Sequence, residues 1–193
     1  MYKINFSENE ILLNWNIIYW GITKNLIPPS SAIEYAHKLV EVNPNEENAI
    51  IVELLILDDI EKEKVLSLVE KLSCRKTSKE TENIRVLRYI VLKDLKQRAK
   101  SNGELLTLIE QVYSDFDYPK DMNNFISYMP VENDDYDTSI HSLQQNEQRL
   151  IDNFNDFLKN ELIWIKANDW RLTNQMNYLY KKKLIRGKFK PCN

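Results

Sequence analysis

Residues 80–98 read ETENIRVLRYIVLKDLKQR, and this stretch decides the fold class. Wound as a helix, Ile84, Val86, Leu87, Tyr89, Ile90, Val91, Leu92 and Leu95 cover nearly the whole circumference. A helix that is apolar on most sides belongs in the middle of a layered structure, so the segment is predicted at the centre of the core. Thr77-Ser78-Lys79-Glu80 leads into it with the form of a capping box.

On the N-terminal side, Ser7-Glu8-Asn9-Glu10 offers another capping box. Ile11, Leu12, Trp15, Ile18 and Tyr19 then recur at helical spacing up to Gly21, which predicts a helix over 8–20 with Gly21 as its stop. Pro28-Pro29 breaks the chain, and Ser31-Ala32-Ile33-Glu34 opens a short amphipathic helix that ends at Asn43-Pro44. The apolar run EENAIIVELLIL, 46–57, fits strand or helix by periodicity. Its glutamates and leucines, and the lack of a second strand to pair with, favour helix. Asp58 or Asp59 then caps a helix carrying Ile60, Val65, Leu68 and Leu72 on one stripe.

On the C-terminal side, Leu105, Leu106, Leu108, Ile109 and Val112 predict an amphipathic helix ending near Ser114. An aromatic and acidic loop follows, with a short helix starting at Pro119. Leu143, Leu150, Ile151, Phe154, Phe157, Leu158, Leu162 and Ile165 mark a long helix over about 140–166, packed down by Trp164 and Trp170. The expectation is an all-α fold: a single-domain bundle or stack of antiparallel helical hairpins, about seven or eight helices over 1–180, with a basic tail at 181–193. Only three glycines in 193 residues agree, since β-turns draw heavily on that residue.

Charge is unevenly spread. Residues 1–165 carry 18 basic and 28 acidic side chains, a net of −10, whereas residues 166–193 carry 8 and 1. The scattered glycines exclude a P-loop and a dinucleotide fingerprint, and two histidines, His37 and His141, exclude multi-histidine metal motifs. Cys74 and Cys192 have no companion at metal or redox spacing and read as free thiols. His37, beside Tyr35 and Lys38, reads as a surface or boundary histidine. No catalytic residue, metal or cofactor is expected, although a magnesium site built from carboxylates alone stays open. No apolar stretch approaches the ~20 residues a membrane helix needs, and the N-terminus does not read as a secretory signal, so the expected location is cytoplasmic with no membrane partner.

Two segments combine carboxylates with aromatics. Asp115, Asp117 and Tyr118 lie in one; Glu132, Asp134, Asp135, Tyr136 and Asp137 lie in the other. Such a mixture suits a basic protein partner, with aromatics supplying contact area and carboxylates supplying steering. The same residues equally suit capping of helix ends and pinning of loops. Lys181, Lys182, Lys183, Arg186, Lys188 and Lys190, near Tyr178, Tyr180 and Phe189, support a different reading, a nucleic-acid-associated regulator, which the acidic body opposes.

The stretch from Trp20 to Asn133 resembles an uncharacterised bacterial family, domain of unknown function 2247. The features that carry the resemblance are Ile33-Glu34-Tyr35-Ala36, the apolar helix around Glu53-Leu54, Val112-Tyr113-Ser114-Asp115-Phe116-Asp117-Tyr118-Pro119 and Tyr128-Met129-Pro130. Families of this kind are suggested to be immunity proteins that neutralise secreted toxins in interbacterial competition. The resemblance therefore implies a binding module for a cognate toxin domain, a nuclease among the candidates, and brings no catalytic residues. The expected function is toxin neutralisation through the acidic, aromatic surface, with no enzymatic activity.

Overall fold

Every regular element among the described residues of this computed structural model is helical. Those residues are 1–6, 13–45, 47–57, 61–73, 79–131 and 136–168. In chain order they form α1 (Trp15–Thr23), α2 (Ser30–Val42), α3 (Ala49–Leu54), α4 (Lys62–Leu72), α5 (Glu80–Arg98), α6 (Asn102–Asp115), the 3₁₀ helices η1 (Lys120–Phe125) and η2 (Thr138–Ile140), and α7 (Leu143–Asn168). The fold is all-α. The capping boxes at 7–10 and 77–80, the caps at Asp58 or Asp59, Cys74, Cys192, Trp170 and the basic tail lie wholly or partly outside the described residues.

The helix predicted at 80–98 is α5, with the same limits, and its residues from Val86 to Leu92 form an uninterrupted buried run. That run includes a charged residue, Arg88, and Asn83 and Asp94 are buried on the same helix. The chain forms two compact units, one from residues 1–87 and one from Arg88–Asn168, so the division falls inside α5.

In the first unit, α1 packs on α4, and α2 and α3 close around them, over a core that includes Ile17, Ile18, Ile22, Leu54, Val65 and Val69. Asn14 caps α1 by accepting from the amides of Asn16 and Ile17 at 2.9 and 3.2 Å. Gly21 is not the stop expected of it, because α1 continues to Thr23. Its role is close approach: a Cβ built there would lie 2.8 Å from Ile27 Cδ1 and 2.9 Å from both Ile27 Cγ1 and Leu87 Cδ2. The residue that ends the helix is Asn25, at φ 56. Its amide bonds Ile22 O at 3.0 Å while Leu26 N reaches back to Gly21 O at 2.9 Å, the paired bonds of a Schellman motif. Asparagine tolerates this left-handed conformation better than most residues, and Pro28 follows close behind.

Other sequence expectations shift by small amounts for local reasons. The helix expected in 46–57 is α3, capped by Asn48, whose side chain accepts from Ile50 N at 3.0 Å. Ser31 does not cap α2, since the helix starts at Ser30 and Ser31 is buried in its first turn. Leu143, expected on the apolar stripe of the long helix, is 90% exposed at the first position of α7. Leu150, Ile151, Phe154, Leu158 and Ile165 do form that buried stripe.

Gly21→Ala tests the close approach. Overpacking costs ~1–3 kcal/mol, and removing a mid-helix glycine returns ~1 kcal/mol. The expected outcome is a net loss of stability in urea denaturation, opposite in sign to the usual effect of Gly→Ala in a helix.

Candidate functional site

The first acid-aromatic segment is the C-terminal end of α6 and the turn after it. Asp115 is the last helical residue and is exposed; Phe116 turns inward and is buried. Asp117 then takes φ 61 and Tyr118 φ 55. Asp117 N bonds Ser114 O at 3.2 Å, and Tyr118 N bonds Tyr113 O at 2.8 Å, so this end is also a Schellman motif, with aspartate where glycine is usual. Pro119 prevents the helix from continuing. The sharp reversal leaves Asp117 and Tyr118 on the surface, with Tyr118 60% exposed.

Tyr113, one turn earlier and buried, is the hub of this region. Its hydroxyl donates to Asn123 Oδ1 at 2.8 Å. Tyr118 stands edge-on to its ring at a centroid distance of 5.3 Å, and Tyr128, also 60% exposed, approaches it at 6.4 Å. Beside them the Ser127 hydroxyl donates to the Glu110 carboxylate. The Tyr128 phenol is held above the ordinary tyrosine value, first by loss of hydration and then by the nearby negative charge of Glu110. Two exposed rings from opposite ends of η1 are thereby gathered on one buried tyrosine.

What holds η1 in place is a cluster that sequence reasoning missed. Arg88, on α5 and 5% exposed, makes a two-pronged ion pair with Asp121, with Nη1 and Nη2 donating at 2.9 and 2.5 Å. The guanidinium also lies 4.0 Å from the carboxylate of buried Glu161 on α7 and 5.5 Å from the Phe157 ring centroid. Its Nε finds no hydrogen-bond acceptor among the described residues. Phe125 packs against Phe154 and Phe157 with centroids 5.5 and 5.0 Å apart, and Asn153 Nδ2 donates to Asn124 O at 2.8 Å. The η1 segment is thus tied to α5 by charge and to α7 by aromatic packing.

Of the second acid-aromatic segment, Glu132, Asp134 and Asp135 lie outside the described residues. Tyr136 is half-buried and does not stand free in solvent as an anchor would. Its ring stacks on His141 at 4.5 Å, lies under the Arg149 guanidinium at 4.8 Å, and its hydroxyl donates to Asn146 Oδ1 at 2.8 Å. Asp137 caps η2, accepting from the amide and hydroxyl of Ser139 at 2.8 and 2.6 Å. These bonds, the hydroxyl's first, hold the Asp137 carboxyl below the ordinary aspartate value. The hydrogen bonds and ring contacts of Tyr136 and Asp137 run to residues 139–149, so they are not drawn into the cluster around Tyr113.

His37 is exposed on α2. A shallow recess of about 330 Å³ beside it is lined by Ile4, Asn5, Phe6, Glu34 and Lys38. Among the described residues no three His, Cys, Asp or Glu side chains gather as a metal site would require. None of the described helices is long and apolar enough to cross a membrane.

The family found in bacteria and described as "uncharacterized protein conserved in bacteria (DUF2247)" matches residues 4–162. The chain belongs to that family. The match is wider than the resemblance visible by eye, reaching back before α1 and forward through most of α7, so Glu161 falls within it. Comparison with curated proteins and with solved structures finds no match.

Two measurements probe these contacts. Arg88→Met removes the cation that Asp121 and buried Glu161 face. Asp121 can rehydrate, while Glu161 stays buried beside an apolar side chain, so a loss of about 2–4 kcal/mol is expected in urea denaturation. For Asp137 the folded value is depressed, so its contribution to η2 is present above the ordinary aspartate value of ~3.9 and is lost as pH falls through the lower folded value. The Ser139 amide resonance should therefore titrate with a midpoint below that of a free aspartate, and Asp137→Ala should abolish the titration.

Proposed function

We propose that this protein is a binding module that neutralises a cognate bacterial toxin inside the producing cell by covering a basic surface of the toxin, a nuclease active face being the chemistry best suited to it. The observation that carries this reading is the end of α6. There a buried hub and a salt-bridged 3₁₀ segment hold Asp117 and Tyr118 outward in left-handed backbone conformations, beside Asp115 and Tyr128. Strained backbone at an exposed acidic and aromatic position is typical of a surface shaped for contact.

The net charge of −10 over residues 1–165 supports the same reading. An acidic inhibitor meeting a basic toxin gains on-rate from long-range attraction, which matters when the toxin turns over its substrate many times. Family membership is compatible with this role and specifies no activity of its own. Asp134 and Asp135 remain candidates for the same surface, whereas Tyr136 and Asp137 serve their own loop first.

The test is capture from the native strain followed by charge reversal. A stoichiometric toxin domain should co-purify, and Asp115→Lys with Asp117→Lys should slow its association by about tenfold at low salt, with the difference shrinking as salt rises. Unchanged association of the double variant with that toxin would sink the proposal.

A further inference from the structure

The two acid-aromatic segments differ in one respect that identifies what the first one takes. In the second, Tyr136 already has a guanidinium over its ring: Arg149 sits 4.8 Å from the centroid. In the same unit Arg88 lies 5.5 Å from the Phe157 ring while it forks onto Asp121. Both arrangements join an arginine to an aromatic face, and one adds a carboxylate. Around Tyr113 the same chemistry is laid out without the arginine. Among the described residues, Tyr118 and Tyr128, each 60% exposed, have no cation over their rings, and Asp117 has no ion pair. Glu110 is hydrogen-bonded by Ser127 and faces the Tyr128 phenol. The adjoining cation in sequence, Lys120, is exposed, and the neighbouring Asp121 is already taken by Arg88.

We infer that the Tyr118–Tyr128 face is a receptor for an arginine side chain of the partner protein, with the guanidinium lying on a tyrosine ring and its N–H groups turned toward Asp117 and Glu110. This rests on the toxin-binding reading above and narrows it to an arginine-bearing segment. Arginine fits better than lysine because its flat, weakly hydrated cation lies over a ring and donates outward in its own plane at the same time, as the chain's own Arg88 does over Phe157 and toward Asp121. Lysine offers a compact, strongly hydrated charge that gains less from the aromatic surface.

The experiment is an NMR titration of the full-length protein, following tyrosine ring resonances, with three peptides that differ only at two positions carrying arginine, lysine or the uncharged isostere citrulline. The arginine peptide should shift Tyr118 and Tyr128 and leave Tyr136 in place. It should bind about threefold or more tightly than the lysine peptide, and the citrulline peptide should produce no shift. Tyr118→Leu with Tyr128→Leu should remove the arginine preference, while both conservative phenylalanine replacements should keep part of it. Equal affinity for the arginine and lysine peptides, or shifts confined to residues away from these two rings, would overturn the assignment. In that event a toxin association that remains sensitive to charge reversal at Asp115 and Asp117 would leave the broader reading standing, so the two failures are distinguishable.

Discussion

A buried arginine organises the second unit of this protein. Arg88 lies inside the buried run Val86–Leu92 of α5, where an unpaired charge would be prohibitive. Its Asp121 partner belongs to a short 3₁₀ segment, a kind of element that seldom holds its position unaided. Placing a cation inside the unit therefore obliges η1 to come to α5, and Phe157 from α7 lies against the same guanidinium while packing on Phe125 of η1. Such pairs add little net stability compared with well-packed apolar residues, yet they penalise every arrangement in which the partners are apart. The geometry of the exposed tyrosines is set by this penalty, because Tyr118 and Tyr128 flank the segment that Asp121 anchors.

The surface at the end of α6 is built by departures from what its residues prefer. Aspartate and tyrosine take successive left-handed conformations, and proline follows. At the end of α1 the same motif uses asparagine with no exposed aromatic beside it; there it turns the chain, and the Asn25 Oδ1 accepts from Lys62 Nζ at 3.0 Å. The comparison separates a structural use of the motif from one in which the turn presents side chains. It also explains why carboxylates and aromatics that look alike in sequence divide in the structure: Asp137 and Tyr136 are engaged by Ser139, His141 and Arg149, whereas Asp117 and Tyr118 face outward.

Legibility in the sequence followed the range of the interactions. The limits of α5 were readable because a helix apolar on most sides is a local pattern. The helical character of 46–57 was readable because no second strand was on offer. Gly21 misled, since a glycine after a periodic run resembles a C-terminal stop, and only the nearness of Ile27 and Leu87 reveals its purpose. Leu143 misled because periodicity does not show where a helix leaves its partner. Arg88 carried a faint signal, a lone charge between Leu87 and Tyr89 in an apolar run, which implied a hidden partner without naming it. Asp121 lies 33 residues away, and nothing in either segment announces the other. Tyr128 was seen as part of a family-like motif, but its meeting with Tyr118 depends on the path of η1.

That separation of 33 residues also orders events in time. The Arg88–Asp121 contact closes a loop containing all of α6, and closing it costs chain entropy that local helix formation does not. The packing that shields it comes from Phe157 and Glu161, near the far end of α7. A chain emerging from the ribosome has already made α6 and both tyrosines before that shield exists. The full set of contacts around Arg88 forms only after Phe157 and Glu161 have left the exit tunnel, so translation itself delays the burial of this ion pair.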